Sequence, residues 1–389
     1  MNGKRILAMT PVVLFAVSLF VISGAKAQSP AVAPANTPAP KKAEEQFKNI
    51  TVLKGIPADQ LIPSMQFITA SLGVECDFCH VQGAFEKDDK KSKQTARKMM
   101  EMMFAINKEN FDGHREVTCN SCHRGSTDPV AIPAVMTEEP KMGMAEPKKP
   151  EGEANTGEAQ ANENAGPAAE QLFEKYVQTS GGAAAIEKIT SRIQKGTIDF
   201  GGKSFPIDVY SKAPDKRISF THMGDSDSIT AFDGHEGWLG TPGRPLREMH
   251  GGDLEGAAMD ADLHLAPHLK QMFSEAKVRG TEKIGDRDAY VVVGRREGKP
   301  PVRLYFDEQS GLLLRILRYG ETALGRLPTQ IDYADYRDVN GVKIPYRWTL
   351  ARPSGRFTIQ VTEVQQDIPV DDAKFAKPPA PPEPKAPAK

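Results

Sequence analysis

The hydrophobic pattern of the chain changes from helical to strand-like about halfway along its length. In residues 56–72 and 95–107, apolar side chains recur every three or four positions, as expected of amphipathic helices. The first of these helices is predicted to end at Gly73, because glycine readily adopts the left-handed conformation of a helix cap. From about residue 195 onward the period becomes two, which predicts strands.

Ten segments of alternating apolar and polar residues make up this second part. The turn Asp338-Val339-Asn340-Gly341 between two of them predicts a tight hairpin. Helices are predicted over residues 168–177, 183–189 and about 260–276. The two patterns together predict an α+β chain, in which a small all-α domain precedes an antiparallel β domain with helices. The predicted strands are residues 195–200, 204–211, 217–222, 228–232, 289–294, 302–306, 312–319, 330–337, 344–350 and 357–364.

Stretches poor in large apolar residues separate the predicted domains. Residues 28–44 are rich in Pro and Ala and predict an extended tether, and residues 129–166 predict a disordered linker. Residues 379–389 are likewise predicted to be disordered. The helical domain then spans residues 45–128 and the β domain spans residues 167–378. The linker is expected to leave the helical domain tethered to the β domain and not rigidly fused with it.

Residues 1–27 have the composition of a secretory signal peptide. Lys4 and Arg5 precede an apolar run over residues 6–22, and Ala25-Lys26-Ala27 forms a small-x-small cleavage site. An uncleaved anchor is the alternative, because the run is just long enough to span a thin bilayer. No cysteine lies near the cleavage site, which excludes lipidation there, although membrane association stays possible. We expect an exported protein, in the periplasm or elsewhere in a bacterial envelope.

All four cysteines lie in two Cys-x-x-Cys-His motifs, Cys76-Asp77-Phe78-Cys79-His80 and Cys119-Asn120-Ser121-Cys122-His123. Two thiols three positions apart can add to the two vinyl groups of one porphyrin, and the adjacent imidazole then falls over the iron. The alternatives are a zinc site that joins the two pairs and two tight disulfides. The sequence predicts two covalently attached haem c groups, bound through the four cysteines and with His80 and His123 as axial ligands. Their attachment outside the cytoplasm agrees with the predicted export.

Each motif follows a helix that carries methionine, whose thioether is a suitable sixth ligand for haem iron. For the first haem the candidate is Met65, with a purely structural core role as the alternative. For the second haem the candidates are the methionines of residues 95–107 and His114. Ligation by His114 in place of a methionine would lower the reduction potential. Helical periodicity puts Met99 and Met103 on one side of the helix and Met100 on another. Spacing alone does not choose among them.

Residues 52–125 resemble the haem-binding part of the photosynthetic reaction-centre cytochrome c subunit family. In that family each haem is held by a helix, a turn and a Cys-x-x-Cys-His motif, with an upstream helical methionine as sixth ligand. The resemblance therefore implies Met65 and Met99 as sixth ligands. The full family subunit has four haems in two pairs, whereas this chain has one pair. The matching stretches are Leu61-Ile62-Pro63-Ser64-Met65-Gln66-Phe67, Leu72-Gly73-Val74, Ala96-Arg97-Lys98-Met99 and Val117-Thr118-Cys119 through Gly125.

The β-rich part resembles the lipoprotein-carrier family, whose half-open antiparallel barrel holds a helix against its mouth. This resemblance implies a similar half-barrel and a possible quinone or lipid ligand. The alternative, which the short motifs favour, is that the apolar residues form a closed core. The matching stretches are Phe232-Asp233-Gly234-His235-Glu236-Gly237-Trp238, Tyr305-Phe306-Asp307 with Gly311-Leu312-Leu313, and Asp338-Val339-Asn340-Gly341-Val342-Lys343-Ile344-Pro345.

These observations favour an electron-transfer protein over an enzyme: an exported dihaem cytochrome with redox proteins as partners. The net charge of −1 offers no footprint for nucleic acid. A dihaem redox enzyme, such as a peroxidase, is the first alternative and would need an open axial position with acid and base groups beside it. The second alternative is an apolar-ligand carrier that uses the haems as a redox sensor.

Overall fold

A computed structural model describes residues 41–129, 167–353 and 355–378. The predicted signal peptide, the tail predicted to be disordered, and nearly all of the predicted tether and linker lie outside these residues. No helix within the described ranges is long and apolar enough to cross a membrane.

The N-terminal part is helical, as predicted. Its helices are α1 (Ala43–Gln46), α2 (Leu61–Leu72), α3 (Lys91–Asn110) and α4 (Cys119–His123). Helix α2 follows a 3-10 turn, Ala58–Gln60, and ends at Gly73, whose φ of 65° is left-handed. This confirms the predicted helix cap, which glycine adopts without the steric penalty of a Cβ atom.

The C-terminal part is one sheet of thirteen strands, in which every neighbouring pair is antiparallel. From edge to edge the order is β6-β5-β4-β3-β2-β1-β13-β12-β11-β10-β9-β8-β7. The sheet is therefore open, and the α+β fold class with a half-barrel is confirmed. The strands are β1 (Ser191–Phe200), β2 (Lys203–Lys212), β3 (Lys216–His222), β4 (Asp227–Phe232), β5 (Gly237–Gly240), β6 (Arg247–Glu248), β7 (Glu275–Ile284), β8 (Arg287–Arg296), β9 (Lys299–Asp307), β10 (Leu313–Glu321), β11 (Arg326–Val339), β12 (Val342–Arg352) and β13 (Gly355–Gln366).

Four helices pack on one face of this sheet. They are α5 (Ala169–Thr179), α6 (Ala183–Ile186), α7 (Gly251–Ala261) and α8 (Leu265–Met272). Leu172, Met259 and Leu269 from three of these helices are buried against Leu304 and Phe306 of β9. Burial of these side chains fixes the helices over the sheet, since each contributes about 1.5–3 kcal/mol when fully removed from water.

The single helix predicted around residues 260–276 is wrong. The chain instead breaks at Asp262, whose ψ of 101° is extended, and β7 already begins at Glu275. Pro267 explains the break, because its ring would clash with the carbonyl of residue 263 inside a continuous helix. In the structure Pro267 lies in the first turn of α8, where proline is tolerated.

The β10–β11 hairpin joins the helical part to the sheet. Leu324, in the turn of this hairpin, is fully buried in the cluster formed by Leu61, Phe67, Met100 and Met103. A Cβ atom on the following Gly325 would lie 2.3 Å from the Phe67 ring, so only glycine fits there.

Polar contacts at the same hairpin add to this apolar packing. The Arg115 guanidinium donates to the Thr322 carbonyl at 2.6 Å and to the Glu321 carboxylate at 2.7 Å. The helical part therefore contacts the β domain at this hairpin.

Candidate haem-attachment sites

The first Cys-x-x-Cys-His motif directly follows helix α2. Cys76–Phe78 forms a 3-10 turn, and the His80 amide donates to the Cys76 carbonyl at 3.0 Å. The His80 Nδ1 lies 2.9 Å from the Phe85 carbonyl oxygen. Because a carbonyl can only accept, Nδ1 carries the proton and Nε2 keeps its lone pair free for a metal. This is the tautomer that an axial haem ligand needs.

The second motif forms the short helix α4 and repeats this arrangement. The Thr118 amide donates to the Ser121 hydroxyl at 3.0 Å at the start of the helix. At its end, the His123 Nδ1 lies 2.9 Å from the Ser126 carbonyl oxygen. The same argument leaves the His123 Nε2 as the free, lone-pair-bearing nitrogen. Both motif histidines therefore engage Nδ1 in the same way and leave Nε2 free.

The two motifs belong to one packed unit. The Gly125 amide, just after the second motif, donates to the Ser71 carbonyl of α2 at 2.8 Å. A Cβ atom on Gly73 would lie 2.2 Å from the Gly125 carbonyl oxygen. Gly73 is thus required both for its left-handed φ and for the close approach of the second motif to the end of α2.

Lys93 positions the loop that orients His80, although no pattern in the sequence distinguishes it from the surrounding charges. Its side chain is buried, and Nζ donates to the carbonyls of Phe85, Glu86 and Lys87 at 2.9, 3.1 and 2.7 Å. It also pairs with Asp88 at 3.0 Å. The Phe85 carbonyl therefore accepts hydrogen bonds from both the Lys93 ammonium and the His80 imidazole. Hydrogen bonds from Arg97, Lys93 and Asn49 hold the pKa of Asp88 well below its usual value.

Asn107 plays the corresponding part before the second motif. Its amide nitrogen donates to the Val117 carbonyl at 2.7 Å, and its oxygen accepts from the amides of Glu116 and Val117 at 3.1 and 2.9 Å. The side chain is buried, so these bonds fasten the segment leading into Cys119 to helix α3. Helical periodicity cannot reveal such a role, because it depends on the path of a later segment.

The four cysteines form no disulfide with one another. Cys76 and Cys122 are exposed, whereas Cys79 and Cys119 are partly buried, and burial raises the pKa of the Cys79 and Cys119 thiols. Within the described residues, no group of three or more His, Cys, Asp or Glu side chains is arranged to hold a metal ion. The two cysteine pairs thus do not come together as the four-ligand zinc site considered above.

The surface around the motifs is unusually apolar. Large exposed apolar side chains cluster in residues 62–111, while elsewhere in the described residues Ile368 is the one such side chain. Large exposed apolar side chains in such number are typical of a ligand-binding or interaction site. A porphyrin held by the two cysteine pairs fits it, because its flat apolar faces would cover these side chains. The cluster comprises Ile62, Phe78, Phe85, Met99, Met102, Phe104 and Phe111.

The candidate methionines of α3 differ in burial. Met100 and Met103 are both buried, 7 % and 4 % exposed, in the cluster around Leu324. Met103 is therefore buried together with Met100, because α3 covers the face that contains Met100, Met103 and Asn107. Met99 is 36 % exposed and lies outside that core.

Met102 of α3 is 48 % exposed, and the other candidates for sixth ligand lie on α2 and in a turn. Met65 on α2 is half-buried and packs against the same apolar cluster. His114 is exposed in the turn before the second motif. Met65 and Met99 thus stay predictions as sixth ligands, whereas Met100 and Met103 are already engaged in the core.

Comparison with known proteins finds relatives of the segment that contains the two motifs. Residues 2–191 match the model of the family described as photosynthetic reaction centre cytochrome C subunit. The photosynthetic reaction center cytochrome c subunit of Thermochromatium tepidum is 33% identical over 93 residues, which is 23% of either chain. Cytochrome c-554 of Chloroflexus aurantiacus is 32% identical over 85 residues, 20% of either chain. The matches thus span about a quarter or less of these relatives' own length.

Solved structures similar to this one match about half of the chain. A LolA superfamily protein from Nitrosomonas europaea has 14% identity and a TM-score of 0.38, covering 55% of this chain and 99% of that one. A DUF1329 family protein from Desulfovibrio piger has 14% identity and a TM-score of 0.38, covering 53% and 96%. The matched segment at the N-terminus, which contains both Cys-x-x-Cys-His motifs, is thus similar to the photosynthetic reaction centre cytochrome C subunit family.

Proposed function

We propose that the protein is an exported c-type cytochrome that carries single electrons through two covalently bound haems. The observation that carries this proposal is the shared setting of His80 and His123. Each donates Nδ1–H to a backbone carbonyl and keeps Nε2 for a metal. Two separate motifs with the same tautomer argue for two equivalent sites.

Each residue of the two sites would have a defined role in binding haem. Cys76 and Cys79 would form thioethers to one porphyrin, and Cys119 and Cys122 to the other. His80 and His123 would ligate the irons, and we assign Met65 and Met99 as the sixth ligands. A haem iron with His and Met ligands supplies reversible one-electron transfer at a raised potential. The apolar surface of residues 62–111 would exclude water from the porphyrins.

An electron carrier and a haem enzyme differ in the sixth coordination position. If both irons are held by His and Met, the reduced protein does not bind carbon monoxide, and its absorption spectrum stays unchanged when the gas is added. A peroxidase-like enzyme would keep one open or displaceable position, and one haem would then give a carbon monoxide complex. That second result would overturn the carrier assignment.

A Met65→Leu variant tests the sixth ligand of the first haem. Leucine preserves the apolar packing of α2 but offers no donor atom. We expect one of the two reduction potentials to fall by up to a few tenths of a volt, because axial ligands are a main determinant of haem potential. A redox titration followed by absorption measures both potentials.

The matched control is Met102→Leu, which changes an exposed methionine of α3 that we do not assign to a haem. Both of its potentials should equal those of the wild type. Unchanged potentials in Met65→Leu itself would refute the assignment of Met65.

A further inference from the structure

The β domain contains a large cavity between its sheet and the covering helices. Its volume is about 630 Å³, within the range of about 300–1,000 Å³ that is usual for small-molecule sites. The apolar side chains of the β domain therefore do not form the closed core that the sequence favoured. Strands β2, β12 and β13 supply most of the apolar wall, and α7 and α8 close it. Side chains in this wall include Ile207, Val209, Leu350, Ile359, Met259 and Leu265.

Two arginines line this apolar cavity from β1 and β3, the strands on either side of β2. Arg192 of β1 and Arg217 of β3 are both in register with Ser211 of β2, which lies between them. Side chains in register on adjacent strands point to the same face, and strands lie about 4.8 Å apart. On the other side of Arg192, Gln366 of β13 continues the same row. The row Gln366, Arg192, Ser211, Arg217 thus forms a polar band across four adjacent strands.

Two donors of this band lack an acceptor among the described residues. They are the buried Arg192 Nε and Gln366 Nε2. The nearby Asp367 carboxylate instead accepts from the Thr190 amide and hydroxyl at 2.8 and 3.1 Å. Arg217 donates to the Asp260 backbone carbonyl at 3.3 Å and lies 5.8 Å from the centre of the Trp348 ring.

Another arginine that lines the cavity, Arg318, has a carboxylate partner. Arg318 makes two bonds of 2.7 Å to the carboxylate of Asp260. Among the described residues, neither Arg192 nor Arg217 has a carboxylate in ion-pair contact. Burial and the neighbouring Arg217 lower the pKa of Arg192 to about 10. A buried charge without a partner is costly unless a counterion completes the site.

We propose that this cavity binds a long-chain carboxylate, with its head group at Arg192 and Arg217 and its apolar chain along β2, β12 and β13. The carboxylate would accept hydrogen bonds from the two guanidinium groups, both of which line the cavity. It would thereby satisfy the buried Arg192 Nε, which has no partner among the described residues. The hydrocarbon chain would occupy the apolar part of the 630 Å³ cavity. This inference is independent of the haem ligation proposed above.

The test compares two probes of equal chain length on the complete, haem-loaded protein after removal of bound lipid. Palmitate and hexadecanol differ only in the head group. Isothermal titration should show that palmitate binds at least tenfold more tightly, because a charge-assisted hydrogen bond is worth about a tenfold change in affinity or more. In Arg192→Gln this preference should largely disappear.

Arg295→Gln is the matched control, because Arg295 of β8 has an exposed side chain and does not line the cavity. It should keep the preference for palmitate. Equal binding of palmitate and hexadecanol by the wild type would overturn the proposal and point to a neutral ligand. Tighter binding of hexadecyl phosphate than of palmitate would show that the head group is a phosphate and not a carboxylate. Failure of palmitate to bind would also overturn the proposal.

A stability measurement separates loss of the site from loss of the fold. Without ligand, Arg192→Gln should melt at or above the wild-type temperature, because the change removes an unpaired buried charge. A lower melting temperature without ligand would mean that Arg192 serves the fold, and the proposal would then fail.

Discussion

Replacing Cys76 and Cys79 together by serine is expected to leave a protein with one covalent haem in place of two. Each motif has its own pair of thiols and its own histidine, so the loss of one pair removes one porphyrin. The intact mass of the purified protein and the pyridine haemochrome absorbance per chain both report the haem count. Each should show half of the wild-type content.

The reciprocal variant, Cys119→Ser with Cys122→Ser, is the matched control and should also retain one haem. The chain has four cysteines, so a variant that lacks all four should contain no covalent haem. Two haems in either double variant would refute the assignment of one porphyrin to each motif. Loss of both haems from a double variant whose β domain remains folded would show that the motifs do not act separately.

Local signals in the sequence were sufficient for the elements that they specify directly. The helix that ends at Gly73 is present, and the hairpin at Asn340 and Gly341 has the positive φ values, 53° and 84°, of a tight turn. The Cys-x-x-Cys-His spacing likewise identified both candidate sites without any knowledge of the fold. In each case the information lies within a few consecutive residues.

Features that depend on distant neighbours were not predictable in this way. Strand β7 was missed because it is an edge strand with mostly exposed side chains, so it shows little apolar alternation. The buried face of α3 could not be predicted because Leu324, more than two hundred residues later, helps to decide which methionines are covered. The row of Arg192 and Arg217 similarly arises only from the register of β1, β2 and β3.

The β10–β11 hairpin connects the two regions proposed here to have a function. Arg318 of β10 lies at the cavity, and a few residues later Leu324 lies inside the core of the cytochrome segment. The core around Leu324 also contains Phe67 of α2 and Met100 of α3, the helices that precede the two motifs. The hairpin therefore packs against the helices that precede the proposed haem sites and also contributes to the cavity wall.

Leu324→Ala is expected to destabilise the cytochrome segment by about 2–5 kcal/mol, the usual cost of truncating a buried leucine. Denaturant unfolding can follow the two parts separately. Haem absorption reports the cytochrome segment, while Trp238 and Trp348, both in the sheet, report the β domain by fluorescence. In the wild type the two transitions should coincide, because the hairpin makes the parts cooperative.

In Leu324→Ala the haem transition should move to lower denaturant concentration while the tryptophan transition moves much less. Ile368→Ala is the control, because Ile368 is 41 % exposed and should change the stability by no more than about 0.5 kcal/mol. If the haem transition of Leu324→Ala equalled that of the control, the contact at the hairpin would contribute nothing to the cytochrome core. Separation of the two transitions would instead show that one buried leucine couples the haem segment to the wall of the cavity.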